Sequence, residues 1–335
     1  MKLYILGNGF DIAHKLPTKY CQFRGWLINT YNIDVDEDIG TPSYETNYKG
    51  LESYSPDEFA SFFVHLLDDV DYNTENRLVC KNTNCMYYEQ VCEDGHKDKW
   101  CNFEEDLAKL RWEIILQSVE KVYDKEGDLH YFHTEDNMSA MAQLCNESNH
   151  ILRYLFRDWI LYINELVELG KTATKPSFKR IFENGDKYLS FNYTNTLEKL
   201  YNINDVCHIH GDISKWQELI FGHSNPGYTH NECEPYEDSA YSIFERIYEQ
   251  YVKNPIKQIE RYKEFFDSIQ NVEEIYFYGL SFGDVDLPYF SYIFENCTKI
   301  KGVYLYVYNP DEFDEKVAKL KRCGAKCQIN RWICK

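Results

Sequence analysis

His208 and His210, two residues apart and followed at once by Gly211, are the side chains best suited by type to move a proton near neutral pH. A histidine at a strand end followed by glycine is free to project into a cleft. Strand alternation would put both rings on one face, so that one can orient or tune the other. The competing reading is a structural histidine bonded to a neighbouring loop. Asn192 closes another apolar run, Lys187 to Phe191. Its amide can hold a water or a sugar hydroxyl, or it can close the strand end as an Asx turn. Far down the chain, Gly279-Leu280-Ser281 leads to Asp286. Ser281 and Asp286 can bind the far end of a nucleotide or cap the helix that begins near Asp286; for Asp286 capping is favoured.

The elements that must position these groups begin at the N-terminus. Leu3-Tyr4-Ile5-Leu6 runs into Gly7-Asn8-Gly9, then into a segment carrying Asp11 and closing on Leu16-Pro17-Thr18. This is the pattern of a first strand delivering a glycine turn to a helix. Such a turn can bring the amides of Gly7, Asn8 and Gly9 to a diphosphate, or be no more than a tight turn. Asp11 can cap the helix or accept from a ribose hydroxyl. Ile12 stands where the dinucleotide fingerprint has its third glycine, so the turn alone does not specify a dinucleotide. His14, Tyr193 and His223 are candidate pocket lining.

Further strands are expected at Lys187–Phe191, Val206–Ile209, Glu218–Phe221, Glu274–Tyr278 and Gly302–Tyr308. A helix after Asp286 fits a crossover between the last two. Polar groups at the C-terminal ends of such strands are where open α/β sheets bind ligands. Ser55-Pro56-Asp57-Glu58 marks a helix start. Apolar spacing predicts long helices over Phe103–Lys125 and His150–Leu169, with polar loops at Asn29–Gly50 and Glu126–Asn149.

The chain has 335 residues and a formal net charge of −19. That balance disfavours broad nucleic-acid binding. No stretch reads as a signal peptide or a membrane span, so a soluble, cytoplasmic protein without a membrane partner is expected. Twelve cysteines are then expected to be reduced thiols. Cys80, Cys85, Cys92 and Cys101, with His96 among them, lack paired C-x-x-C spacing, and no metal is predicted there.

The motif set resembles a known family. G-N-G-F-D at 7–11, L-P-T at 16–18, F-N-Y-T-N-T-L-E at 191–198, H-I-H-G at 208–211 and G-L-S-F-G-D-V-D-L-P-Y-F at 279–290 are similar to the AbiH family of phage abortive-infection proteins. A more distant resemblance is to sirtuins and SIR2-like defence NADases. Those open with a G-A-G-x-S turn and an I-P-x-F-R segment, then carry an Asn at a strand end, a His-Gly and, in SIR2-like members, a later G-x-S…D. Gly7-Asn8-Gly9, Leu16-Pro17, Asn192, His210-Gly211 and Gly279/Ser281/Asp286 stand at those places in order. Lys15 stands where AbiH-like chains usually carry Gly. Asp11 replaces the sirtuin Ser and Thr194 the sirtuin Asp, changes that bear on ribose handling.

The resemblance implies an α/β fold with a Rossmann-like (SIR2-like), mostly parallel sheet and a large helical insertion between strand 1 and the rest. Residues 1–28 and 186–335 would form the nucleotide-binding domain, with 29–185 as the insertion or lid. It implies NAD as ligand and substrate, hydrolysed to nicotinamide and ADP-ribose by His210 and Asn192. Gly7, Asn8, Gly9, Asp11, Thr194, Gly279, Ser281 and Asp286 would bind it. A phage-derived trigger and self-association are the expected partners. Two alternatives stand beside this: a nucleotide-binding sensor without turnover, and a metal-dependent nuclease or phosphoesterase using the C-terminal histidines and acids.

Overall fold

The computed structural model describes residues 1–35, 53–73, 100, 102–213, 218–230 and 232–333. The Cys80/Cys85/Cys92/Cys101 series and His96 lie outside the described residues, as do residues 36–50 of the expected loop. In chain order the elements begin with β1 (Lys2–Leu6), α1 (Gly9–Ala13), α2 (Tyr20–Tyr31) and α3 (Pro56–Asn73). Next come α4 (Phe103–Asp106), α5 (Glu113–Leu116), α6 (Tyr131–Ser148), α7 (His150–Glu168) and α8 (Pro176–Lys179). The chain continues through β2 (Lys187–Ser190), α9 (Thr196–Tyr201), β3 (Val206–His208), α10 (Asp238–Glu249), α11 (Pro255–Arg261) and α12 (Lys263–Ser268). It closes with β4 (Glu274–Tyr278), α13 (Leu287–Asn296), β5 (Gly302–Leu305), α14 (Phe313–Arg322) and β6 (Ile329–Arg331).

The chain divides into two compact units: Met1–Lys19 with Ile160–Ile220 and Lys253–Lys335, and Tyr20–Trp159 with Phe221–Val252. The first unit holds a parallel six-stranded sheet in the order β3-β2-β1-β4-β5-β6. That is the strand order of dinucleotide-binding α/β sheets, with its switch point between β1 and β4. Each central strand is apolar on both sides, as a sheet covered on both faces requires. One face buries Leu3, Ile5, Leu189, Ile275, Phe277 and Val303, and the other buries Tyr4, Leu6, Tyr188, Val206 and Tyr278. Between β1 and β2 the described elements are all helices.

Register explains why distant motifs meet. Leu6 pairs with Ser190 on one side and Tyr278 on the other, and Ser190 pairs with His208. These four residues form one row across the sheet. The segments just beyond it therefore emerge together at the C-terminal edge: Gly7–Gly9, Phe191–Thr194, Ile209–Asp212 and Gly279–Asp286.

The second unit is built on aromatic packing. Phe23 touches Trp100, Phe103, Phe156 and Trp159, with ring centroids 5.0–5.9 Å apart. Arg24 grips Asp68 through Nε (2.8 Å) and Nη2 (2.6 Å), and the Trp100 indole N–H donates to the same carboxylate at 2.9 Å. The helix start at Ser55 is a reciprocal cap. Glu58 accepts from the Ser55 N–H and hydroxyl at 2.9 and 2.6 Å.

Four local expectations are corrected, and one strand is added. Phe103–Lys125 is not one helix: α4, a 3₁₀ turn at Leu107–Lys109 and α5 follow one another, broken where Leu110 turns extended (φ −60°, ψ 125°). Phe103, Leu107, Leu110, Ile115 and Val119 are buried all the same, because successive short turns can satisfy helical spacing. Glu126–Asn149 is not loop throughout, since α6 occupies most of it. Its buried face is Thr134, Asn137, Met138, Met141, Ala142, Leu144, Cys145 and Ser148, in which the polar Thr, Asn and Ser interrupt the apolar stripe. The N-terminal part of the expected Asn29–Gly50 loop is the last turn of α2. Glu218–Phe221 is not a strand; Ile220 makes a single backbone bond to the His210 carbonyl (2.8 Å). The sixth strand, β6, had no visible signal: Ile329-Asn330-Arg331 is short, polar and at the sheet edge.

Candidate functional site

The first feature at the sheet edge is a crossing of two glycine turns. The Gly7 N–H donates to the Tyr278 carbonyl at 2.9 Å and the Gly9 N–H to the Gly279 carbonyl at 2.8 Å. A Cβ on Gly9 would lie 2.5 Å from the Gly279 Cα, and one on Gly279, whose φ is +72°, would lie 2.6 Å from the Gly9 Cα. The glycines thus serve backbone-to-backbone approach. The expectation that Gly7 and Gly9 present amides to a diphosphate is corrected on this geometry, because both N–H groups are already engaged. The Asn8 N–H makes no hydrogen bond among the described residues, while the Asn8 side chain ties the turn to the Thr18 carbonyl at 2.8 Å.

Asp11 neither caps α1 nor reaches solvent. It is 1% exposed and accepts from the Thr194 hydroxyl at 2.6 Å, and Thr196 donates to Thr194 at 3.0 Å. Burial pushes its carboxyl up to about 6, against the lowering effect of the Thr194 and Thr196 hydroxyls and the His208 charge. Its Oδ1 is buried with no hydrogen-bond partner. Two of the sequence candidates, Asp11 and Thr194, are therefore one unit, with the threonine donating to the acid.

His208 and His210 do not share a face. β3 ends at His208, and a turn closed by the Gly211 N–H on the His208 carbonyl (3.0 Å) redirects the chain. Gly211 takes φ +94°, and any Cβ there would strike the Glu218 carbonyl, which is why glycine must follow His210. His208 donates from Nδ1 to the Asn192 carbonyl (2.9 Å) and pairs through Nε2 with Glu198 (2.7 Å). Burial alone would lower its pKa. The hydrogen bond and charge of Glu198, helped by the Asn192 carbonyl and Asp212, instead raise it.

His210 turns to other partners. Its Nε2 lies 3.5 Å from Asp286 Oδ1, an ion-pair distance without hydrogen-bond alignment, and both atoms are buried with no other partner. Its ring sits among Phe191, Tyr193 and Tyr289, with centroids 5.3, 5.9 and 6.3 Å away. Asp286 occupies the N-cap position of α13, but its carboxylate makes no capping bond, so the favoured capping reading is corrected. Burial would raise the Asp286 carboxyl; the His210 contact and the Lys253 charge outweigh it and hold the group below its usual value.

The Asn192 side chain does not form the Asx turn considered for it. Its N–H is held by Ser190 Oγ at 3.1 Å, and its carboxamide makes no hydrogen bond among the described residues. Ser281 is exposed. His14 is a packing histidine: Nδ1 donates to the Phe10 carbonyl (2.7 Å) and Nε2 accepts from the Tyr201 hydroxyl (2.6 Å). Burial depresses its pKa to about 4. His223 is likewise buried, against the Ser224 carbonyl (2.6 Å) and the Tyr248 ring, and burial lowers its pKa.

Residues 3–308, nearly the whole chain and all of this edge, match the family Bacteriophage abortive infection AbiH. The chain belongs to the AbiH family. Membership implies a role in abortive infection, a defence against bacteriophage. No curated protein and no solved structure matches the chain. No helix among the described residues is long and apolar enough to cross a membrane.

Three residues of the AbiH edge had no role assigned from sequence. Glu198 ends one of the quoted motifs, in the first turn of α9, and Asp212 stands one residue past another, just after Gly211. A motif acid in the turn after one strand, beside a histidine ending the next, was the available signal. Lys253, buried and felt by Asp286, carried none.

Proposed function

We propose that this AbiH chain binds NAD or a closely related nucleotide at the C-terminal edge of its sheet and hydrolyses it to nicotinamide and ADP-ribose. The observation that carries the reading is the buried His210–Asp286 pair, 3.5 Å apart, on the same edge as the unengaged Asn192 carboxamide. The strand order favours a nucleotide at this edge. Asp11 with Thr194 offers a polar pair for ribose hydroxyls, and the Asn8 N–H is the amide of the glycine turn left for a phosphate oxygen. Gly279 shapes the turn beside it. Ser281, being exposed, would contact only the outer end of the ligand.

In the reaction the bond from ribose C1′ to the nicotinamide nitrogen breaks, its electron pair going to the ring, which leaves neutral. Water adds to the oxocarbenium-like C1′ and gives up one proton, which His210 accepts and passes to solvent. Asp286 holds the resulting imidazolium, and Asn192 orients the water against C1′. Asn192 and His210 are 6% and 3% exposed, so the edge must open to admit substrate. A gated enzyme of this kind suits a role in which activity follows a phage-derived signal.

Purified protein incubated with NAD, followed by chromatography for nicotinamide and ADP-ribose, tests the reading. Release that disappears in His210→Ala and Asn192→Ala, with circular dichroism unchanged, is the expected result. Undiminished release in both folded variants overturns the residue roles. Saturable NAD binding without release in the presence of phage lysate favours the sensor alternative.

A further inference from the structure

We propose that Glu198, His208 and Asp212 form a binding site for one divalent cation of the Mn2+ type, beside the His210 edge. One donor atom from each of the three residues lies within 4.8 Å of the others. His208 is held as metal-binding histidines are held. Its Nδ1 proton is fixed on the Asn192 carbonyl at 2.9 Å, which aims Nε2 at the Glu198 carboxylate, 2.7 Å away. His208 and Asp212 are each 2% exposed. This is a built interior cluster rather than a group of surface acids.

A further observation points to a cation. Glu198 Oε2 is buried with no hydrogen-bond partner. A buried carboxylate oxygen without a donor is costly, and a cation held by this cluster satisfies it. The donor set of one imidazole and two carboxylates is hard to borderline, which suits Mn2+, Fe2+, Mg2+ or Zn2+ and excludes soft-metal preference. Three protein ligands leave positions open for water or an anionic ligand. On binding, the Nε2 proton of His208 leaves to solvent and its lone pair takes the cation, while Glu198 and Asp212 supply the charge.

The inference is independent of NAD turnover and is tested separately. Chelator-stripped full-length protein is titrated with Mn2+, which avoids the thiols that would capture Zn2+. Free Mn2+ is followed by electron paramagnetic resonance, and the bound ion by electron spin echo modulation. One ion per chain with modulation from one directly bound imidazole nitrogen is expected. Asp212→Asn and Glu198→Gln, checked for wild-type melting, should weaken binding at least tenfold, whereas His210→Ala should bind as wild type. Bound Mn2+ without an imidazole nitrogen, or no binding at millimolar Mn2+, overturns the proposal. The spin-echo result is read on the unmodified chain, so it decides even where a variant fails to fold.

Discussion

His210 and Asp286 face each other at 3.5 Å although 76 positions separate them, one in the turn after β3 and the other at the head of α13. Neither buried atom has a hydrogen-bond partner. Asp286→Asn keeps the shape and removes the charge. Under the proposed function, NAD hydrolysis should fall about 10²-fold, within the usual worth of an acid–base group. The wild-type Asp286 carboxyl is held below its ordinary value, so its contribution to stability is present above about pH 4 and is lost as pH falls through the depressed value. The variant should lack that acid limb. Equal acid sensitivity of the two proteins in urea melts would show that the pair does not form.

Asp11 and His14, three residues apart, should drive stability in opposite directions with pH. The Asp11 carboxyl is raised from 3.8 to about 6, so the folded state gains from its proton below pH 4 and loses that gain as pH rises through 6. Relative to wild type, Asp11→Asn should gain up to about 3 kcal/mol between pH 4 and 7. The His14 pKa is lowered from 6.5 to about 4, so its contribution is present above 6.5 and is lost as pH falls toward 4. The advantage of wild type over His14→Phe should therefore shrink by about 3 kcal/mol from pH 7 to 4. Denaturant midpoints at half-unit pH steps measure both; parallel curves would refute the assigned environments.

The crossing of Gly9 with Gly279 leaves no room for a methyl group, since it would sit 2.5 Å from a backbone carbon. Gly9→Ala should cost about 3 kcal/mol, at the upper end of overpacking penalties, because backbone rather than side chain must yield. Gly127→Ala is the control. That glycine has φ +88° with open space around it, and the change should cost about 1–2 kcal/mol from backbone strain alone. Similar melting temperatures for the two variants would mean the turns do not cross as described.

Asp68 in the second unit answers both Arg24 and the Trp100 indole. Asp68→Asn leaves a largely buried guanidinium without its counter-charge and should destabilise by about 3–5 kcal/mol. Calorimetry on the variant gives the size of the loss. A melting temperature within a degree of wild type would show the pair to be dispensable.

The sheet was legible because its strands are locally distinctive. Leu3–Leu6, Tyr188–Phe191 and Ile275–Tyr278 are apolar runs ending in glycine or a polar cluster, a signal carried by neighbouring residues. Two of the breaks in legibility show the physical cause. α6 buries Thr, Asn and Ser among its Met, Leu, Ala and Cys side chains, which breaks up the apolar spacing, and Leu110 interrupts a spacing that reads as continuous.

At the site, sequence alone determined the strand-end motifs, the glycine turns and the histidines, because residue type and local spacing are properties of short segments. Tertiary structure decided the pairings. It gave Asp286 to His210 rather than to the start of α13, Asp11 to Thr194, and Glu198 with Asp212 to His208. It also committed the Gly7 and Gly9 amides to the Tyr278 and Gly279 carbonyls. These outcomes depend on a parallel register joining segments more than 180 residues apart and on a φ of +94° at Gly211, and neither is written in the residues around any one motif.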